Sequence, residues 1–293
     1  FTEVRYKGAK IVAVTPDYAE VSKLADLWLH PKQGTDAALA MAMGHVILKE
    51  FHLDKPSTYF QDYCRRYTDL PMLVKLVRRG NHYVADRFVR ASDFSDKLGN
   101  ANNPEWKTVA IDELSGRVVT PNGSIGFRWN QKEGEDKGKW NLESKEAGSQ
   151  EIRLRLSLIG TRDDAVPVAF PYFGGVEHEQ FTANDQGADI LVRNVPTQRL
   201  TLAEGEVLVA SVFDLLVANY GIDRGLGGGA VAASYADNIP YTPKWQEAIT
   251  GVKAADVITV ARQFADNADK TQGKSMVIIG AAMNHWYHCD MNY

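Results

Sequence analysis

Two short β-rich runs, each closed by turn residues and the second feeding a long helix, constrain this chain more than any other feature. KIVAV at 10–14 stops at Thr15-Pro16-Asp17, and DLWLHP at 26–31 repeats the form after the polar-apolar stretch YAEVSKLA. Such runs, with turn signals and helix-length spacing between them, read as two parallel strands joined by a helix. PKQG then leads into TDAALAMAMGHVILKEFHL, where Ala38, Met41, Ala42, His45, Val46, Leu48 and Lys49 set out a helical stripe and Thr35 takes the N-cap position. A further helix is expected over DKPSTYFQDYCRRYT with Ser57 as its cap, and PMLVKLV reads as a strand. The fold class these patterns predict is α/β: a parallel-sheet three-layer unit carrying a β-rich insertion.

The insertion is expected over about 81–200. There TVAIDE, RVVTPNGSIGFRW, KWNLE, EIRLRLSLIG and VPVAFPYF are short β-rich runs separated by PNG, KGK and FGG turns. Phe127, Trp129, Phe170 and Tyr172 are the aromatics expected in its core, and KEGEDKGKW and ESKEAGSQE have the composition of solvated connectors. Helical periodicity is expected again over EVLVASVFDLLVANYGI at 206–222, then in TPKWQEAITG and KAADVITVARQFADNAD, with KSMVIIGAAMNHWYH as a buried strand running into a loop. The domain scheme is therefore 1–80 and 201–293 as two parts of the α/β domain, flanking 81–200. RGLGGGA at 224–230 lacks the spacing of a Walker loop or a dinucleotide fingerprint and reads as a flexible loop.

Charge and cysteine content exclude several functions. A net charge of -4 gives no basic footprint for nucleic acid or an anionic membrane surface. Two cysteines, Cys64 and Cys289, are too few for a disulfide framework or an iron-sulfur cluster within the chain. No apolar run approaches the ~18 residues of a membrane span, so no direct membrane insertion is expected. The start at Phe1, without methionine, favours a fragment.

Candidate site residues gather where the two strands end. Open α/β sheets bind nucleotides at the carboxyl ends of their strands, where Thr15 and Asp17 stand; Asp17 there either accepts from a ribose or base or forms a plain Asx-turn. Gln33, Gly34, Thr35 and Asp36 lie at the helix start, where glycine allows close backbone approach and free N–H groups favour an anion; the bland alternative is an N-cap and a first-turn charge. At the far end, His285, His288 and Asp290 of NHWYHCDMNY have a spacing that could ligate zinc, but neither HExxH nor a second Cys/His pair accompanies them, so no metal site is assigned.

The long stretch from FTEVRYKGAKIVAV to GHVILKEFHLD, with NNPEWKTVA, PNGSIGFRW, FPYFGG, FADNADKTQGKSMVIIGA and NHWYHCDMNY, resembles the catalytic alpha subunits of membrane-bound respiratory nitrate reductases. These belong to the dimethyl-sulfoxide-reductase class of molybdenum enzymes. The resemblance covers nearly the whole chain. It implies nitrate reduction to nitrite, or nitrite oxidation as the alternative, at a bis(molybdopterin guanine dinucleotide) molybdenum cofactor. A [4Fe-4S] cluster and the molybdenum-ligating aspartate would lie upstream of Phe1, making this a central fragment, inactive or a mere nucleotide-binding scaffold when isolated. An iron-sulfur beta subunit and a membrane cytochrome b gamma subunit would hold the enzyme peripherally on the cytoplasmic face of the membrane. By resemblance Gln33, Gly34, Thr35 and Asp36 contact the guanine dinucleotide, and Asn284 and His285 face the molybdenum site.

Overall fold

A computed structural model describes residues 2–18, 20–122, 146, 150–172, 190–280, 283 and 285. The chain divides into two compact units, one of residues 1–57, 220–222 and 231–293 and one of residues 58–219 and 223–230.

The first unit begins with a helical turn, α1 (Thr2–Tyr6), and the two expected strands, β1 (Val12–Val14) and β2 (Leu27–Leu29). They pair in parallel, Val12 opposite Leu27 and Val14 opposite Leu29. Between them the expected helix is reduced to a 3-10 turn over Ser22–Leu24. The apolar residues of YAEVSKLA are too few to bury a face, and Val21 and Leu24 stay exposed. Helix α2 (Asp36–Ile47) follows and widens without a break into a π-helical stretch over Leu48–Asp54. It packs against α5 (Pro243–Thr250) and α6 (Ala254–Thr271). Leu29, Leu39, Ala42, Val252, Val257 and Val260 form the core they share with the sheet, each larger side chain contributing about 1.5–3 kcal/mol by its burial.

Polar contacts fix the helix ends. Thr242 caps α5, its Oγ1 accepting the Trp245 N–H at 3.1 Å, with Pro243 in the first turn. Glu50, on the π-helical stretch, takes a fork from Arg262 of α6 at 2.7 and 2.9 Å and the Tyr235 hydroxyl at 2.9 Å. That fork is the chief reason the Glu50 carboxyl is held below its ordinary range.

The second unit starts with α3 (Thr58–Tyr67) and is built on a closed barrel of β3 (Leu73–Arg79), β4 (His82–Phe88), β7 (Asp164–Pro171), β8 (Ile190–Leu202) and β9 (Gly205–Ser211). β3 and β4 are joined by a two-residue turn in which Gly80 takes φ of 61°, as such hairpins require. β3 closes on β9 antiparallel, whereas β4 meets β7 through one parallel pair, Tyr83 with Val168. β5 (Ala110–Ile111) and β6 (Val118–Val119) form a separate small ladder. Leu76, Val166, Val168, Phe170, Val195 and Leu208 form one core cluster, and Leu73, Val89, Val109, Ile111, Leu158, Leu202 and Val209 another. α4 (Val212–Asn219) follows β9 directly.

The α/β expectation holds, with corrections to individual elements. The run 206–222 is half strand and half helix: Val207, Leu208 and Val209 belong to β9, and Ser211 turns the chain into α4 by accepting the Asp214 N–H at 3.0 Å. EIRLRLSLIG buries Ile152, Leu154 and Leu158, yet it makes isolated bridges, Asp112 with Leu154 among them, and no extended strand. Two backbone bonds tie it to β5 and the residues after it, Glu113 N–H to the Arg153 carbonyl at 2.7 Å and Arg155 N–H to the Ile111 carbonyl at 2.9 Å, and side chains supply the rest: Arg153 N–H reaches the Asp112 carboxylate at 2.9 Å, and Arg65 reaches the Leu154 carbonyl at 2.8 Å. KSMVIIG is not a buried strand; Met276, Val277, Ile278 and Ile279 are 76, 67, 66 and 49% exposed, and no described strand pairs with them.

RGLGGGA is a loop held in place rather than a flexible one. Arg224 donates to Asp214 at 2.6 Å, Asn194 Nδ2 to the Leu226 carbonyl at 2.9 Å, and Arg193 Nε to the Ala230 carbonyl at 2.8 Å. Of the aromatics expected in the insertion core, Phe170 is buried and Tyr172 half-buried, while Phe127 and Trp129 lie outside the described residues, as do KWNLE and KEGEDKGKW.

Candidate functional site

The candidate site is the carboxyl end of the β1–β2 pair. Because β1 and β2 pair in parallel, the segments after both strands, Thr15–Asp17 and Gln33–Asp36, leave from the same edge of the sheet. The start of β1 is braced from the other side: Asp26 accepts the Ile11 N–H at 2.8 Å and an Arg5 nitrogen at 3.1 Å. The Ile11 bond, more than the arginine, keeps the Asp26 carboxyl below its usual value.

After β1, both backbone groups of Thr15 are held by β2. Its N–H donates to the Leu29 carbonyl at 3.1 Å, and its carbonyl accepts the Trp28 indole N–H at 2.8 Å. Thr15 Oγ1 donates to Asp17 Oδ1 at 2.7 Å, and Ser22 Oγ donates to the Asp17 carbonyl at 3.1 Å. Asp17 is exposed, and its Oδ2 accepts no hydrogen bond from the described residues.

After β2, Gly34 takes φ of 77°, which a side chain at this position would resist. Thr35 occupies the N-cap position of α2, but its hydroxyl donates back to the Lys32 carbonyl at 2.6 Å and caps no helix N–H. The N–H groups of Asp36 and Ala37 therefore have no acceptor among the described residues, at the positive end of a long helix. Neither carboxylate oxygen of Asp36, half-buried, hydrogen-bonds a described residue.

Free helix N–H groups suit an anion, and the carboxylates of Asp36 and Asp17 suit N–H or hydroxyl donors. Gln33 is exposed at the rim of the same edge. His285 is exposed, and Asn284, His288 and Asp290 lie outside the described residues. Among the described residues no group of three His, Cys, Asp or Glu could hold a metal ion.

Trp28 and Ser22 carry no motif that marks them in the sequence. The signal for Trp28 is chemical: an indole is a donor only, and one standing in a strand next to a turn needs an acceptor there.

The family model for molybdopterin oxidoreductases matches residues 2–293. The chain belongs to the molybdopterin oxidoreductase family. Among curated relatives it is 58% identical over 295 residues to the respiratory nitrate reductase 1 alpha chain of Escherichia coli K12 and 59% identical over 295 residues to the respiratory nitrate reductase 2 alpha chain of the same organism. It is 43% identical over 292 residues to the nitrate reductase alpha chain of Bacillus subtilis 168. These alignments take in 99 to 100% of this chain but 22 to 23% of each relative, so this family member spans about a quarter of their length.

Proposed function

We propose that this chain is the part of a molybdenum-dependent nitrate reductase that holds the guanine end of a bis(molybdopterin guanine dinucleotide) cofactor. Its likeness along the whole chain to nitrate reductase alpha chains supports the activity, and the open Asp36 carboxylate beside unpaired helix N–H groups is the observation that carries the site. Asp36 accepts the two adjacent N–H donors of the guanine edge, the Asp36 and Ala37 N–H groups receive a phosphate, Gly34 and Gln33 let the ligand approach, and Asp17, steadied by Thr15, takes a ribose hydroxyl. Asn284 and His285 are assigned to the molybdenum side of the cofactor. When bound, the cofactor supplies the two-electron oxygen-atom transfer that turns nitrate into nitrite; this chain's own residues bind and orient it.

In this reading residues 1–80 and 201–293 are parts of the cofactor-binding domain and 81–200 an insertion without cofactor contacts. The whole protein would add a [4Fe-4S] cluster, work with an iron-sulfur beta subunit and a cytochrome b gamma subunit, and sit on the cytoplasmic face of the membrane through them. No helix among the described residues is long and apolar enough to cross a membrane.

The test is Asp36→Asn in a subunit of the relatives' length, with molybdenum and guanine-nucleotide content measured beside wild type under limiting cofactor supply. Asparagine presents a donor where guanine also presents one, so cofactor binding should weaken by about 1–3 kcal/mol. Equal content and equal nitrate turnover would reduce Asp36 to a first-turn charge.

A further inference from the structure

Asp17 has one open oxygen, and what aims that oxygen is the strand beside it. The turn Thr15-Pro16-Asp17 leaves β1 with no further strand pairing of its own, yet it is fastened at three points. β2 holds Thr15 through the Leu29 carbonyl and the Trp28 indole, and Ser22 holds the Asp17 carbonyl. Pro16 adds a fixed φ and an extended preference at Thr15, so few backbone freedoms remain once the Trp28 bond is made. Tyr18, next in the chain, sets its ring edge against Trp28 at 5.3 Å between centroids, and the His30 ring also contacts Trp28, at 5.0 Å.

From this we infer that Trp28, assisted by Ser22, is a positioning residue: it touches no ligand but sets the direction in which Asp17 presents Oδ2, and so sets affinity for a ribose hydroxyl. The inference rests on the assignment of Asp17 to the ribose. Its chemistry is specific to the indole N–H. The carbonyl of Thr15 would otherwise turn toward water, and rotation about the adjoining bonds would carry the Thr15 hydroxyl and the Asp17 carboxylate with it, because those two are themselves bonded at 2.7 Å.

The experiment uses a cofactor-free subunit of the relatives' length and two probes, guanosine 5′-monophosphate and its 2′,3′-dideoxy analogue, titrated calorimetrically against wild type, Trp28→Phe, Asp17→Asn and the double variant. Phenylalanine keeps a ring for Tyr18 and His30 but has no N–H. Trp28→Phe should weaken guanosine monophosphate roughly tenfold, the size of one charge-assisted hydrogen bond, and leave the dideoxy analogue unchanged. Asp17→Asn should give a loss of similar size, and the double variant no more than either alone. Equal weakening of both nucleotides would mean that Trp28 acts only through packing, and an unchanged affinity for both would mean it does not aim the turn; either overturns the inference while the nucleotide site stands. If wild type binds neither nucleotide, or binds both alike, the ribose assignment itself fails and the inference falls with it. Should Trp28→Phe not fold, Ser22→Ala releases the fastening at the Asp17 carbonyl, and its failure to show a ribose-selective loss overturns the inference on its own.

Discussion

Replacing Asp214 by asparagine should unseat the barrel unit more than any surface change. Asp214 is fully buried and its two oxygens accept four donors: Oδ1 takes the Ser157 hydroxyl and Arg224, both at 2.6 Å, and Oδ2 takes the Leu158 N–H at 2.7 Å and the Ser211 hydroxyl at 2.8 Å. Arg224 is 7% exposed, so its charge has little water to turn to. An asparagine keeps one oxygen for two of those donors and faces the other two with an NH2 group. Two lost bonds to a charged acceptor at about 1.5–3 kcal/mol each amount to about 3–6 kcal/mol. A buried charge left without its partner independently suggests about 3–5 kcal/mol, so about 4 is expected. Arg224→Met should cost less, because the carboxylate would keep three neutral donors. The assay is native-state hydrogen exchange at the slowest amides of β8 and β9, which reports the opening free energy of this unit directly. A loss below about 1 kcal/mol for Asp214→Asn, or a larger one for Arg224→Met, would refute the reasoning.

Three other outcomes are expected. Thr242→Ala removes an N-cap that also donates to the Asp237 carbonyl at 2.7 Å from a fully buried position, and should destabilise the first unit by about 1–3 kcal/mol in urea unfolding. Burial pushes the His52 imidazole down to about 4 from 6.5, so the folded chain binds fewer protons than the unfolded one between those values. Stability should therefore fall as pH drops from 6.5 to 4, by up to about 3 kcal/mol from this residue, and a His52→Gln chain should show a flatter profile by thermal unfolding across that range. The Glu50 carboxyl, held down chiefly by Arg262, contributes stability above the ordinary glutamate value of 4.5 that is lost as pH falls further, so the deficit of Glu50→Gln relative to wild type should shrink below that pH in the same assay.

What the sequence made legible was whatever local chemistry decides. β1 and β2 were readable because Pro16-Asp17 and Pro31 stop apolar runs, and α5 because Thr242-Pro243 starts it and Gly251 ends it with φ of 80°. That the segments after β1 and β2 leave from one edge followed from parallel pairing alone. The junction at 211 was also legible but missed, since Ser211 and Asp214 stand at capping-box spacing in the middle of a run that reads as one long helix. Other features depend on distant partners. Thr35 looks like a cap in sequence, and its rotation toward Lys32 is set by the turn at Gly34. KSMVIIG has every local mark of a buried strand, but a strand is made by its neighbours, and none of the described ones reaches it.

The barrel has a seam. Four of its five junctions are antiparallel ladders, from the four partner pairs of β3 with β9 to the eight of β7 with β8, while β4 and β7 meet at Tyr83 and Val168 alone. A cylinder stapled once along one side and laced along the others should open there first under load. Pulled or heated, the second unit would then unroll into a five-stranded meander ending in β4 and β7, with its ladders intact, before any strand is lost. Amides flanking that one pair should exchange well ahead of those between β7 and β8, so the weakest line of the barrel wall runs between β4 and β7.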